Sequence, residues 1–235
     1  MQVKLTKGVV YGMAILCIWS IPVVAEERLN DPPEGFLVLF NGTDLTGWKG
    51  MVKDPKTRAA MSPEDLAAAQ EKADERMREH WSVQDEALVF DGKGDNLCTA
   101  RDYGDFELYV DWRILRDGDS GIYLRGCPQV QIWDTEADQY QPHGAGKGSG
   151  SLWNNEEHPR FPLVKADHPA GQWNTFHITM IGEKVTIKLN GQLVVDNTVL
   201  ENYWEPDKPV YPAGAIELQN HGNTLYFRNI YLKER

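Results

Sequence analysis

The sequence predicts an all-β sandwich carrying one inserted helix, and three observations lead there. Short segments alternate apolar and polar residues with period two, the mark of a strand with one buried face. They recur at roughly 8 to 12 residue spacing, as in sandwiches and barrels. They are divided by Gly, Asn and Asp turns such as Asn41-Gly42, Asp117-Gly118 and Asn190-Gly191. The chain has 235 residues, 41% of them hydrophobic and 25% charged, which suits one large β domain over residues 35–235.

At the N-terminus, Lys4 and Lys7 precede an apolar run from Gly8 to Val24 that ends on Val23-Val24-Ala25, with small residues where a signal peptidase reads. Residues 1–25 are expected to be a cleaved secretory signal; a membrane anchor is the other reading, but the apolar core is short and no second span follows. Cys17 does not make a lipoprotein site, because bulky Leu16 precedes it. The expected address is the periplasm, with no membrane contact after cleavage. The mature chain would carry 22 basic and 35 acidic residues, net −13, which opposes nucleic acid and anionic lipid as partners. Cys98 and Cys127 remain in a compartment that permits disulfides, and whether they pair is left open. Oligomeric state is likewise open.

Phe36 to Phe40 reads as a fully buried strand. Ser62-Pro63-Glu64-Asp65 starts a helix: Ser as N-cap, Pro at the first helical position, and Asp65 closing a capping box. That helix, over about 62–80, is weakly apolar at Leu66, Ala69, Ala73 and Met77 and is expected to pack outside the β domain. Strands resume at Trp81–Val83 and Ala87–Phe90. The turn Asp91 to Asn96 is acidic and Gly-rich. No cofactor is expected; the acids and glycines of this turn leave a divalent metal open there, although the spacing does not match an EF-hand loop and such turns are usually only turns.

Residues 102–134 read as three consecutive antiparallel strands with one mixed face. Phe106, Leu108, Val110, Trp112 and Ile114 alternate with Glu107, Tyr109, Asp111 and Arg113; Ile122 and Leu124 with Tyr123 and Arg125; Val130 and Ile132 with Gln129, Gln131 and Trp133. The polar side collects carboxylates, amides, a guanidinium and aromatic rings, which suits sugar hydroxyls and sugar C–H faces. A plain solvated sheet face would read the same way. Residues 135–171 are rich in Gly, Pro, His and Asn, a connection long enough to be functional. Trp173–Ile181 and Lys184–Leu189 form a hairpin, Gln192–Asp196 follows, and Ala215–Gln219 with Leu225–Leu232 make the last expected pair.

No Ser-His-Asp order, Cys-His nucleophile, phosphate loop or paired-Cys zinc motif stands out. His177 falls on a strand and reads as a satisfied sheet residue, whereas His143 and His221 sit in Gly-rich turns, where reactive groups and ordinary surface histidines both occur.

The segments FNGTDLTGW (40–48), YGDFELYVDWRI (103–114), DSGIYLRG (119–126), PQVQIWD (128–134), WNTFHITMIGEKVTIKLNG (173–191) and GAIELQNHGNTLYFRNIYL (214–232) resemble the family formerly labelled DUF1080. That family is named for 3-keto-disaccharide hydrolase, or 3-keto-glucoside 1,2-lyase and 3-keto-2-hydroxy-glucal hydratase, activity. The resemblance spans about residues 35–234 and implies a concanavalin A-like jelly roll of two antiparallel sheets whose concave sheet faces a sugar. The helix at 62–80 and the Gly-rich loop at 143–151 depart from the plan.

A ketone at carbon 3 of a glycoside acidifies the proton at carbon 2, so the chemistry implied by the resemblance needs a base, a holder for the enediolate charge and an acid for the leaving oxygen. Parity and the resemblance together nominate His221 as base or acid, Asp134 as alternate base if the strand end twists, and Arg125 as oxyanion holder, unless Arg125 is paired with Glu107 or Asp111 across the sheet. Gln131, Glu217 and Gln219 would bind hydroxyls, Tyr123 and Trp133 would stack on a ring, and Glu107, Tyr109, Asp111 and His143 complete the expected surface for a glycoside or oligosaccharide. A non-catalytic carbohydrate-binding module is the competing reading, since folds of this kind serve both. A retaining glycosidase ranks lower: it wants two acids about 5–5.5 Å apart, whereas Glu107 and Asp111 lie roughly 13 Å apart at ~3.3 Å per residue.

Overall fold

Period-two patterning becomes strand pairing over most of the chain. The computed structural model describes residue 2 and residues 29–235, so the expected leader, apart from residue 2, lies outside the described residues. In chain order the strands and helices are β1 (Leu37–Val38), β2 (Trp48–Gly50), α1 (Pro55–Ala59), α2 (Pro63–His80), β3 (Trp81–Gln84), β4 (Ala87–Phe90), β5 (Leu97–Thr99), β6 (Phe106–Ile114), β7 (Asp119–Leu124), β8 (Cys127–Trp133), β9 (Asn174–Ile181), β10 (Lys184–Leu189), β11 (Gln192–Val199), β12 (Glu217–Leu218) and β13 (Leu225–Glu234). Among the described residues they build two antiparallel sheets. The larger runs β11-β10-β9-β6-β13-β4-β3, with β1 also on β13; the smaller runs β2-β5-β12-β7-β8. This is the two-sheet jelly roll with a small helical insertion.

The core lies between the sheets. Phe106, Leu108, Val110, Trp112 and Ile114 of β6 point inward and meet Leu97, Ile122, Leu124, Val130, Ile132 and Leu218 of the smaller sheet. Each such side chain removed from water contributes roughly 1.5–3 kcal/mol, so one face of every long strand is committed to the interior.

The strands between 102 and 134 do not form one meander. β6 pairs with β13 and β9, whereas β7 pairs with β8 and β12. The chain leaves β6 at Leu115, turns through Asp117 (φ 61°) and enters the opposite sheet. The polar face of β6 therefore lies on the outside of one layer and that of β7 and β8 on the outside of the other, with the core between. Likewise β12 and β13 belong to different sheets and are not a pair. Of the expected buried strand at 36–40, Leu39 and Phe40 are buried, while Leu37 and Val38 are exposed on the edge of the larger sheet.

The helical insertion follows its sequence signals. Ser62 Oγ accepts from Asp65 N at 3.1 Å and Pro63 takes the first helical position. Met77 is the buried anchor of α2, and the helix crosses β2 so closely that a Cβ on Gly50 would lie 2.1 Å from the Ala73 carbonyl oxygen. Gly50→Ala must therefore push α2 off the sheet edge. The expected loss is about 1–3 kcal/mol, as for other overpacked sites, read as a lowered urea midpoint with unchanged slope.

Cys98 and Cys127 are free, buried thiols. They lie on β5 and β8, three strand spacings apart in the order β5-β12-β7-β8. At about 4.8 Å per spacing they are well beyond disulfide reach.

Candidate functional site

The outer face of the smaller sheet carries a cavity of about 490 Å³. Its floor follows from parity: Asp119 and Tyr123 project from β7, Gln129, Gln131 and Trp133 from β8, and Gln219 from just beyond β12. His221 enters from the loop after β12. The long 135–171 connection supplies one wall through Tyr140, His143, Trp153 and Asn154, and Tyr203 and Trp204 supply the other. A neighbouring depression of about 520 Å³ shares Asn154 and Tyr203 with the first, leaving room for a group attached to whatever occupies the floor.

A chain of polar contacts crosses that floor. Gln129 Nε2 donates to Gln131 Oε1, Gln131 Nε2 donates to Asp119 Oδ1 at 2.6 Å, and Asp119 Oδ2 stands 3.5 Å from His221 Nδ1. The Asp119 side chain is 11% exposed and His221 53%, so a buried carboxylate backs an imidazole open to the cavity. Burial pushes the Asp119 carboxyl above its ordinary range, opposed by the nearby His221 and the Gln131 hydrogen bond. Gln219 Nε2 donates to the Tyr123 hydroxyl at 3.2 Å, and burial raises the Tyr123 phenol to about 12, which keeps its proton in place. The Gln219 Oε1 atom is buried against β7 and has no hydrogen-bond partner among the described residues.

The aromatic wall is braced from behind. Trp133 meets Trp153 edge to face at 5.1 Å and stacks with Tyr140 at 6.3 Å, and its indole N–H donates to the Gly148 carbonyl at 3.2 Å. Both Asp167 oxygens accept from Ser149 N, at 3.1 and 3.0 Å, and Ser149 Oγ accepts from Trp133 N. The Gly-rich loop is thereby tied to β8. His143 stands edge-on to Trp153 at 6.2 Å.

Of the residues nominated from sequence, the structure brings His221, Tyr123, Gln131, Trp133, His143 and Gln219 to this cavity. Six others lie elsewhere. Arg125, 2% exposed, donates to Gly104 O at 2.8 Å, Tyr211 O at 3.3 Å and Asp105 Oδ1 at 2.6 Å; it ties loops together, and its ion-pair partner is Asp105 instead of Glu107 or Asp111. Asp134 follows the inward parity of Ile132 and caps a turn, accepting from Asp117 N at 2.9 Å and Glu136 N at 3.1 Å. Glu107, Tyr109 and Asp111 lie on the outer face of the larger sheet. Glu107 holds His177 at 2.6 Å and Arg235, Tyr109 stacks on His177 at 4.2 Å, and Asp111 accepts from Thr175 Oγ1 at 2.6 Å and Asn229 Nδ2 at 2.8 Å.

Glu217 is fully buried, and neither carboxyl oxygen meets a hydrogen-bond partner among the described residues. Burial raises its carboxyl from 4.5 to about 8, against the pull of the Arg58 and Lys49 charges. The native state holds this proton more tightly than the unfolded chain, so the stability it confers is complete below about pH 4.5 and is lost as pH rises through about 8. Glu217→Gln is expected to raise the urea midpoint by more at alkaline than at acidic pH, flattening the pH profile of stability.

Sequence reading did not nominate Asp119, Gln129, Tyr140, Trp153, Asn154, Tyr203 or Trp204. The alternation Asp119-Gly121-Tyr123 and Gln129-Gln131-Trp133 was the available signal for the first two; the loop residues carried none. Among the described residues no cluster of three or more His, Cys, Asp and Glu side chains is placed to hold a metal.

Comparison with known proteins agrees with this architecture. A family model described as a 3-keto-alpha-glucoside-1,2-lyase-like domain matches residues 35–233. A 3-keto-disaccharide hydrolase of Bacteroides thetaiotaomicron is 22% identical over 85% of this chain and 78% of its own length. Two crystal structures of Parabacteroides distasonis proteins assigned to the glycosyl hydrolases superpose with TM-scores of 0.64 and 0.61. The first is 25% identical and covers 86% of this chain and 85% of its own; the second is 21% identical and covers 88% and 100%. With nearly all of the double-sheet domain inside the matched span, the chain belongs to the 3-keto-alpha-glucoside-1,2-lyase-like family, a carbohydrate-active group.

Proposed function

We propose that this protein cleaves 3-keto-glycosides by removing the proton at carbon 2 and expelling the aglycone from carbon 1. The observation that carries the reading is the Asp119–His221 pair, a buried carboxylate 3.5 Å behind an imidazole open to an aromatic-walled cavity. Asp119 orients the ring and stabilises it once protonated. His221 takes the carbon-2 proton; the electron pair passes to the carbon-3 oxygen, held by the Tyr123 hydroxyl, whose proton is secure at neutral pH. Collapse of the enediolate forms the carbon 1–carbon 2 double bond and breaks the carbon 1–oxygen bond, with the imidazolium returning its proton to the leaving oxygen. Addition of water across that double bond completes a net hydrolysis. Gln129 and Gln219 offer amides to ring hydroxyls, Gln131 is committed to holding Asp119, and Trp133 and Trp153 offer faces to ring C–H groups. The oxyanion role moves from Arg125 to Tyr123. The expected leader would place the reaction outside the cytoplasm.

The aromatic wall and amide floor also suit a non-catalytic sugar-binding module. Incubating the mature protein with a 3-keto-glucoside and its unoxidised parent, with and without chelator, separates the two. Aglycone release from the keto compound alone supports the elimination, and chelator sensitivity would add a metal to it. Binding without release from either compound moves the protein to the binding-module reading.

A further inference from the structure

A second cavity, of about 590 Å³, opens on the same outer face of the smaller sheet beneath the helical insertion. It is lined by Lys49 of β2 and Cys98 of β5, by Ala215, and by Val52, Arg58, Leu66 and Ala67 of the insertion. The register places Lys49 opposite Cys98, Cys98 opposite Glu217, and Glu217 opposite Tyr123. Paired residues of antiparallel strands share a face. Lys49 and Cys98 line the second cavity and Tyr123 the first, so buried Glu217, which lines neither, forms the wall between them.

Charge in this cavity runs against that of the chain. The ammonium of Lys49 has no hydrogen-bond or ion-pair partner among the described residues. Arg58 has no carboxylate partner there; its Nη1 donates to the Met51 sulfur and to the carbonyls of Val52 and Lys53, and its other two guanidinium nitrogens make no hydrogen bond among the described residues. The opposing carboxylate is Asp102, exposed at the rim and out of ion-pair range of either cation. Burial raises the Glu217 carboxyl to about 8, so at neutral pH it is held mostly in its uncharged form. Two partly buried cations thus face one exposed acid in a chain of net charge −11. Around them Val52, Leu66, Ala67 and Ala215 present apolar surface, the mixture of apolar walls and a few convergent polar groups expected of a small-molecule site.

We propose that this second cavity binds a small organic carboxylate with an apolar body, its carboxylate between Lys49 and Arg58 and its body against Leu66, Ala67 and Ala215. The site is independent of the elimination chemistry, because Glu217 stands between it and the first cavity.

Benzoate and its uncharged counterpart benzamide test it on the full mature chain, by calorimetry and by following the alanine methyl resonances. Benzoate is expected to bind at least tenfold more tightly than benzamide and to move the Ala67 and Ala215 methyls. Lys49→Met should abolish the difference, whereas Lys188→Met, on exposed β10 surface, should leave it unchanged. Ala67→Trp should fill the space and block both ligands with the melting temperature retained, which keeps the test valid if Lys49→Met folds poorly. Equal binding of the two compounds, no binding of either, or benzoate shifts confined to the Trp133 and Trp153 indoles would overturn the proposal.

Discussion

His221→Ala is expected to lower turnover of a 3-keto-glycoside by about 10²- to 10⁴-fold, the range for loss of a positioned general acid–base. Stability should change by less than about 0.5 kcal/mol, since the side chain is 53% exposed on a turn. Asp119→Asn should lose nearly as much activity, because the amide keeps the contact with Gln131 but cannot balance an imidazolium. The two losses should not add: with Asp119 acting through His221, the double variant should be about as slow as the worse single one. Single-turnover rates on the keto compound, with binding of the unoxidised parent measured in parallel, read this directly. If His221→Ala kept full activity in a folded protein, the pair would have no catalytic role.

Arg125→Ala should do the reverse. The guanidinium is 2% exposed, sits where the backbone takes a left-handed turn (φ 56°), and satisfies the Gly104 and Tyr211 carbonyls along with Asp105. Removing it leaves partly buried acceptors unpaired and deletes a side chain that is itself buried, a loss of about 1–3 kcal/mol. Activity per folded molecule should stay near that of the parent, because Arg125 does not line the cavity. A chemical-denaturation midpoint and an active-site-normalised rate on the same sample separate this from the oxyanion role that sequence parity had assigned. A variant that folds as well as the parent and is inactive would return Arg125 to the chemistry.

Strand parity proved reliable within a strand and unreliable between strands. It placed Tyr123, Gln131, Trp133 and Gln219 on a solvent-side face, where they line one cavity. It also put Glu107, Tyr109 and Asp111 with them. Alternation says which residues share a side of one strand, but it does not say to which sheet the strand belongs. Leu115 to Gly118 carries the chain across the sandwich, so two polar faces that look continuous in sequence end up on opposite outer surfaces. Glu217 shows a second limit. It has the outward parity of Gln219, yet Pro55 and Gly126 close over it, and a residue expected to meet solvent became a buried, protonated carboxyl.

What the sequence determined by itself was local: the turns at Asn-Gly and Asp-Gly, the capped helix at Ser62, the buried face of the long strands, and, through six ordered motifs, the family. These depend on neighbours a few residues apart, where backbone sterics and hydrophobic period act directly. Tertiary structure alone decided the layer of each strand, the pairing of β12 with β7 instead of β13, the separation of Cys98 from Cys127, and the meeting of Asp119 with His221 across about a hundred residues. Those outcomes rest on packing two apolar faces against each other, a condition the whole chain must satisfy at once and no single segment encodes.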